Sequence, residues 1–336
     1  MTAYLTGTVT GAQALFNKLI DELKNNADLG AANQQWQEVW ANASGTEKVL
    51  KGPGLAAADS IYVGLKFDDS LPGTNEQIFI YGMTDIDPAA TVITNHVNVQ
   101  PYAPRCLYES NVTITYWMHL TGRRFVMATK ISTVYQGMYG GFFLPYAHPS
   151  AYPYPLFIGA CAPEDDDRID NWADTPVTFR NFTHSSRDAN YDVNNHYGAT
   201  AYFMDPSNTW HPLINAFFLE TDLDERQYGY VNWQGSDYAK EWWDDDDRMH
   251  PTQVLKACRQ AYGASGGHPL YDLIIGDRDG HQCYGTLDGV FSAPGYNLVA
   301  ETILTATEDA TPVDHIVFPN VFRSGDYHLW AMRAQQ

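Results

Sequence analysis

The acidic residues are the first candidates for chemistry, because many of them fall in two dense runs. EDDDRID begins at Glu164 and DDDDRMH begins at Asp244. Asp-rich loops can supply the six to eight oxygen ligands that Ca²⁺ prefers, but acidic runs are more often solvated loops or helix starts. The segment 277–280, DRDG, lacks the third ligand position and the closing glutamate of a calcium loop. We therefore predict no metal and no cofactor, and Ca²⁺ binding by the acidic loops stays open.

Histidines and cysteines are a second possible source of metal ligands. The 11 histidines form neither H-x-x-x-H nor H-E-x-x-H, and four of them precede a proline, which favours turns over a helical ligand face. The four cysteines are far apart and include no C-x-x-C pair. We expect all four to be free buried thiols: Cys106, Cys161, Cys258 and Cys283.

Catalytic motifs are absent from the sequence. It contains no G-x-S-x-G nucleophile elbow, no phosphate-binding P-loop and no dinucleotide fingerprint, and GASGGH at 263–268 is interpreted as a flexible polar loop. A carboxylate pair for glycoside hydrolysis stays an open alternative, since its two members need only be close in space. We predict that the chain is not an enzyme.

The charge balance limits the classes of partner. The chain has 40 acidic and 20 basic residues and a net charge of -20, which repels phosphate backbones and anionic lipid headgroups. No stretch approaches the 18 or more apolar residues of a membrane span, and the first residues lack the pattern of a signal peptide. We therefore predict no direct nucleic-acid binding and no membrane insertion.

Short β-rich segments dominate the chain beyond Asp59. They are rich in β-branched and aromatic residues and are bounded by Gly, Pro, Asn or Asp. In NVTITYWMHL, which begins at Asn111, the residues alternate as expected for a sheet that is covered on one face. The predicted fold is mainly β, with antiparallel sandwich-like sheets, an N-terminal amphipathic helix and a few short helices. An α+β fold is the alternative.

The N-terminal helix is indicated by leucines at intervals of four residues, Leu15, Leu19 and Leu23. Thr10 and Gln13 fit a capping box, and the segment 33–40 fits a further short turn. We predict a helical attachment region at 1–58 and a β-rich body at 59–336, which could be divided near residue 160 or residue 250. A short helix is also expected from Pro251.

An aromatic and proline-rich segment lies at 140–159. Its four prolines exclude a helix or a central strand, so we predict an extended, ordered loop. Its rings could stack on sugars, but the added aliphatic residues favour a buried interface or an intradomain lid. The predicted interface consists of the three helix leucines and the rings of this segment: Leu15, Leu19, Leu23, Phe142, Phe143, Tyr146, Tyr152, Tyr154 and Phe157.

The chain resembles a family of virion structural proteins of tailed bacteriophages. The resemblance lies in TGTVTGAQALFNKLIDEL, KGPGL, IYVGLKF, the segment from Gly122 to Leu156, and the closing DHIVFPNVFRSGDYHLWAMR. It implies a homo-oligomeric structural role in the tail, baseplate or tail tip. The implied partners are other copies of the chain and other phage structural proteins, and the implied location is the virion, after assembly in the host cytoplasm.

Two other interpretations come from different functional classes. One is a receptor- or carbohydrate-binding adhesin for host attachment, with host surface glycan as a partner. The other is a head-decoration or neck-collar protein. A glycan depolymerase is the enzymatic alternative to both.

Overall fold

The computed structural model describes residues 2–55, 59–70, 75–162, 200–212, 268, 270–276, 283–293, 298–308, 311–319 and 329–334. Within them the fold is mainly β, and its antiparallel strands form three sheets in a sandwich-like arrangement, which confirms the predicted class. Both acidic runs, the segment 277–280, Cys258, most of the GASGGH segment and the helix expected from Pro251 lie outside the described residues.

The seven-stranded sheet is the central layer. Its strands, in spatial order, are β1 (Ala3–Thr10), β7 (Thr113–Leu120), β8 (Arg124–Ile131), β9 (Val134–Phe142), β11 (Leu156–Gly159), β12 (Ala201–Met204) and β13 (Trp210–Pro212). A turn at Thr121-Gly122 joins β7 to β8, and the Thr121 amide donates to the Arg124 carbonyl at 2.9 Å. A second turn separates β8 from β9, where Ser132 has a φ of 54°.

The five-stranded sheet packs on one side of the central layer. Its strands, in spatial order, are β2 (Gln37–Ala41), β3 (Glu47–Gly52), β4 (Ile61–Asp68), β5 (Asn75–Met83) and β6 (Arg105–Glu109). A single 3-10 turn at Ile93–Asn95 helps to cover its outer face, where Ile93 packs with Tyr62 and Phe79.

The six-stranded sheet lies on the other side. Five of its strands, in spatial order, are β10 (Leu144–Pro145), β15 (Cys283–Ala293), β18 (Leu329–Arg333), β17 (Thr311–Pro319) and β16 (Ile303–Glu308); β14 (Tyr271–Gly276) also pairs with β15. The central sheet is therefore covered on both faces. On β7, Tyr116 and Met118 belong to the core facing the five-stranded sheet, and Trp117 belongs to the core facing the six-stranded sheet. This corrects the one-sided interpretation of β7.

The N-terminal helix is α1 (Ala12–Asn25), and a short helix, α2 (Ala27–Ala31), follows it. The predicted capping box is wrong, because the N-cap residue of α1 is Gly11, which has no side chain that could cap the helix. Instead, a carboxylate oxygen of Glu76, on β5, accepts from the Ala12 amide at 2.6 Å and occupies the positive end of the helix dipole. The segment 33–40, expected to form a helical turn, is not helical, and its last four residues belong to strand β2.

The first 58 residues do not form a separate helical attachment. Strand β1 pairs along its whole length with β7, and β2 and β3 extend the five-stranded sheet from β4. A boundary near residue 160 would separate β11 from β12, which are hydrogen-bonded neighbours. Residue 250 lies outside the described residues.

The edge of β6 meets the central layer through the side chain of Gln136, on β9. The Leu107 amide donates to Gln136 Oε1 at 2.8 Å, and Gln136 Nε2 donates to the Leu107 carbonyl. A primary amide here takes the place of a neighbouring strand's backbone. Next to it, the backbones of Arg105 and Ala162 exchange two hydrogen bonds.

Candidate assembly surface and its supporting core

The helix leucines of the predicted interface are in the interior of this chain. Leu15, Leu19 and Leu23 are fully buried in the core between α1, the central sheet and the five-stranded sheet. Their spacing therefore reflects packing of α1 on its own body. This placement corrects the prediction that they dock on a neighbouring subunit.

The aromatic segment 140–159 packs mostly inside this chain, as the lid interpretation of the sequence predicts. Its ends are not a loop, however: residues 140–142 belong to β9, and β11 is Leu156–Gly159, so the predicted exclusion of a central strand is wrong there. Phe142, Phe143, Tyr152 and Phe157 are all buried. The Tyr152 hydroxyl donates to the Met204 carbonyl, and its ring meets that of Phe143 edge-on with centroids 5.5 Å apart. These four rings are thus corrected from interface to core residues, because the chain itself supplies their partners.

Two aromatic residues of the loop are not buried in this way. Tyr154 is half-buried against the core shared with the five-stranded sheet. Tyr146 is 61% exposed beside the partly exposed Leu144. The Tyr146 backbone is fixed, since its amide donates to the Tyr284 carbonyl at 2.8 Å. Of the predicted ring surface, Tyr146 is the member that a partner can reach.

Two exposed apolar side chains lie at the edge of the six-stranded sheet. We define the β16 edge as Val299 and Glu301, in the turn before β16, together with Ile303 and Thr305, on β16. Val299 is 70% exposed and Ile303 is 50% exposed. Strand β16 pairs with β17 on one side, and among the described residues no strand pairs with its other side. An open strand edge with apolar side chains is a template for contact with another chain.

The turn that precedes β16 is held in place by Glu301. A carboxylate oxygen of Glu301 accepts from Lys130 Nζ at 2.5 Å and from the Tyr135 hydroxyl at 2.6 Å. The Glu301 amide also donates to the Val317 carbonyl at 2.7 Å, and the residue has a φ of 66°. These contacts fix the β16 edge to the central sheet, so its apolar side chains are presented by an ordered backbone.

A separate cluster of charged residues is buried where the central sheet meets the six-stranded sheet. Arg124, on β8, is fully buried; its Nε donates to Asp288 Oδ2 at 3.2 Å, and its Nη1 lies 2.6 Å from His119 Nδ1. The same Nη1 donates to the His119 carbonyl at 3.1 Å. Because an arginine has no acceptor, His119 must accept through Nδ1 and carry its proton on Nε2.

Gly289 makes room for this cluster. Its φ is 69°, and a Cβ added there would lie 2.2 Å from Arg124 Nη2. Any side chain at this position would therefore be strained in its backbone and would collide with the guanidinium. The Asp288-Gly289 dipeptide thus supplies both the counter-charge and the space for Arg124.

The surroundings of the cluster oppose protonation of His119 and of Asp288. Burial, followed by the positive charge of Arg124, lowers the pKa of His119 well below its usual value. Burial alone would raise the pKa of Asp288, but Arg124, Arg333 and Arg123 together hold it below its usual value. The cluster is therefore a neutral histidine, an ionised aspartate and cationic arginines, and it joins two sheets through charge.

Other kinds of site are not apparent in the described part of the chain. Over those residues, no group of three or more His, Cys, Asp or Glu side chains is placed to hold a metal ion. None of the described helices has the length and apolar character needed to cross a membrane. Cys106 and Cys161 are buried, as predicted, but Cys283 is exposed, because it begins β15 at the surface.

The chain was compared with protein-family models and with curated proteins. Neither comparison finds a match.

Sequence reasoning did not identify the β16 edge or the buried charges. Val299 and Ile303 lie in NLVAETILTAT, which indicated a strand but not whether that strand lies at an edge. An arginine within the apolar run RRFVMA, together with a distant Asp-Gly pair, was the available signal for the cluster. Only the packing of the six-stranded sheet on the central sheet brings Arg124 and Asp288 together.

Proposed function

We propose that this chain is a structural component of a tailed-phage virion, in the tail, baseplate or tail tip, and that it acts by protein-protein assembly. Its partners in this proposal are copies of itself and other phage structural proteins. The motif resemblance supports the class of particle. The observation that carries the assembly role is the β16 edge. There Val299, in the fixed turn before β16, and Ile303, on β16, are exposed beside a strand edge with which no described strand pairs.

The energetics favour repeated contacts over a single one. Full burial of a Val or Ile side chain contributes about 1.5–3 kcal/mol, and association costs at least about 4 kcal/mol in lost freedom of motion. Two such side chains alone therefore give a weak contact. In a symmetric oligomer, each subunit makes the same contact again, and additional surface adds to it.

The location is tested by immunogold electron microscopy of intact particles with antibody raised against this chain. Label at the distal tail is the expected result. Label at the head or neck would instead support the head-decoration or neck-collar alternative. Reproducible absence of label, with antigen present in the lysate, would overturn the virion role.

The assembly surface is tested by the double variant V299S/I303S. Both side chains are exposed, so the variant should fold normally and fail to enter particles. The matched control is V92S/V97S, which changes two similarly exposed valines, at 41% and 46%, near the five-stranded sheet. Circular dichroism and the amount of chain in purified particles are measured for both. If the two variants enter particles in equal amounts, the β16 edge is not the assembly surface.

One observation favours the adhesin alternative, namely the exposed ring of Tyr146. An exposed aromatic face on a fixed backbone can stack on a sugar ring. Binding of the purified chain to host surface polysaccharide is measured for Y146S and Y146F. Binding that is lost in Y146S and kept in Y146F would support the adhesin; absence of binding by the unmodified chain would remove it.

A further inference from the structure

Two cysteines from distant parts of the chain face each other where the five-stranded sheet meets the central sheet. Cys106 is the second residue of β6, and Cys161 follows β11. The Arg105 amide donates to the Ala162 carbonyl at 2.8 Å, and the Ala162 amide donates to the Arg105 carbonyl at 2.9 Å. This double exchange defines a hydrogen-bonded antiparallel pair.

Cys106 follows Arg105 and Cys161 precedes Ala162, so this isolated bridge brings the two cysteines close to each other. Cys161 Sγ also donates to the Arg105 carbonyl at 3.5 Å, and that carbonyl belongs to the peptide bond between Arg105 and Cys106. Disulfides join cysteines whose Cα atoms are about 4.4–6.8 Å apart. Residues that flank a bridge on its two segments lie near this range, so an S–S bond is within reach.

The two thiols also point to the same place. Cys106 Sγ donates to the Gly137 carbonyl at 3.4 Å, and Cys161 Sγ donates to Gln136 Oε1 at 2.8 Å, so both contact consecutive residues of β9. Burial, followed by a hydrogen bond with the Cys106 side chain, raises the pKa of Cys161 well above its usual value. Both thiols are almost completely buried, at 0% and 1% exposure.

We propose that Cys106 and Cys161 form a dithiol site that closes to an intrachain disulfide by exchange with a small-molecule disulfide. One cysteine thiolate attacks the small disulfide, forms a mixed disulfide with the protein and releases one small thiol. The second cysteine thiolate then attacks the protein sulfur of that mixed disulfide, forms the Cys106–Cys161 bond and releases the second small thiol. The oxidant gains the two electrons that the dithiol loses.

Burial determines how the site behaves. The small disulfide reaches a thiol only when the junction opens locally, so the first exchange is slow in the folded chain. When the junction closes again, the second thiol is already aligned, so the mixed disulfide resolves within the chain. The bond would then join β6 covalently to the segment that follows β11. This inference does not depend on the proposed virion role.

The test uses the full chain in native buffer with oxidised glutathione. After incubation the reaction is quenched with acid, remaining thiols are alkylated in denaturant, and the digested chain is mapped by mass spectrometry. We expect the peptide that links Cys106 to Cys161 to be the main crosslink. The same treatment of urea-unfolded chain is the control, because four cysteines can then pair in three fully paired ways.

The outcomes decide the proposal without relying on any variant that must fold. The proposal is overturned by stable glutathione adducts on either cysteine without the crosslink. It is also overturned by absence of reaction in the folded chain, or by a crosslink no more frequent in the folded than in the unfolded chain. A raised urea midpoint of the crosslinked chain, reversed by dithiothreitol, is the second expected result. An unchanged midpoint would contradict the proposed joining of the two sheets.

Discussion

The two faces of the central sheet are attached to their neighbours by different means. Toward the five-stranded sheet and α1 the sheet presents apolar side chains, both aliphatic and aromatic, such as Ile114, Met118 and Phe125. Toward the six-stranded sheet it presents aromatic rings, such as Trp117, together with the buried charge of Arg124. An apolar contact weakens in proportion to the atoms removed, whereas a buried charge cluster fails when one member is removed. We therefore expect the two interfaces to respond differently to similar damage.

The largest effect is expected for Asp288→Ala. It leaves the Arg124 guanidinium buried without its carboxylate, which costs about 3–5 kcal/mol for pairs of this kind. Urea unfolding measures the loss, and hydrogen exchange locates it: protection should fall in β15, β17 and β18 more than in β4 and β5. Asp272→Ala, at an exposed position on β14, is the control. Equal loss of protection in β4 and β5 would show that the two interfaces are not independent.

The second-largest loss of stability is expected at the apolar interface, between the central sheet, α1 and the five-stranded sheet. Leu19→Ala removes a fully buried side chain from α1 and leaves a cavity, so unfolding should become easier by about 2–5 kcal/mol. The matched change Leu55→Ala, at a residue that is 55% exposed, should alter stability by less than about 0.5 kcal/mol. For this variant, protection against hydrogen exchange should fall in β4 and β5 more than in β15, β17 and β18. A larger loss of protection in β17 and β18 would contradict the expected difference between the two interfaces.

A smaller effect is expected for Gln136→Ala. The change removes the amide that satisfies the Leu107 amide and carbonyl, and each unpaired buried group costs about 1–3 kcal/mol. Water that enters the vacated space offsets part of this, so we expect a loss of roughly 2 kcal/mol in urea unfolding. Gln13→Ala, on the exposed side of α1, is the control. A loss equal to that of the control would mean that the β6 edge does not depend on the side chain.

The smallest effect is a dependence on pH that belongs to the charged interface. His119 is neutral when buried and has a lowered pKa, so the unfolded chain binds a proton there more readily than the folded chain. Stability is thus fully present above about pH 6.5 and falls by up to about 1.4 kcal/mol per pH unit below it. His96 and His315, whose pKa values burial also lowers, act in the same direction. Asp288 adds a further loss only at lower pH, since its pKa is below the usual carboxyl value.

The contribution of His119 is isolated by comparing pH slopes instead of absolute stabilities. Urea unfolding of the unmodified chain and of His119→Gln is measured between about pH 7 and pH 5.5. The variant should lose about 1 kcal/mol less over this range than the unmodified chain does. Identical slopes would show that His119 does not titrate on unfolding.

The sequence predicted the elements of this fold better than their partners. Alternation and β-branched composition located most of β4, β5, β7 and β8, because these features are local. The cap of α1 was assigned to Thr10 and Gln13, yet Glu76 provides it from a strand 64 residues away. Composition predicts that the rings of 140–159 are buried, but not whether a partner or the chain itself covers them. The contact of Arg124 with Asp288 arises where two different sheets pack on each other, and no local pattern in the sequence reports such packing.

The Gln136 amide also closes one edge of the five-stranded sheet to strands of other molecules. A bare strand edge can lengthen a sheet without limit, and that is how ordered proteins become fibres. At β6 the Leu107 positions that another strand would use are already occupied by a side chain of the same chain. In the described part of the molecule, the five-stranded sheet can therefore be extended only from β2. A strand from another chain would have to displace the Gln136 amide before it could pair with β6 at Leu107.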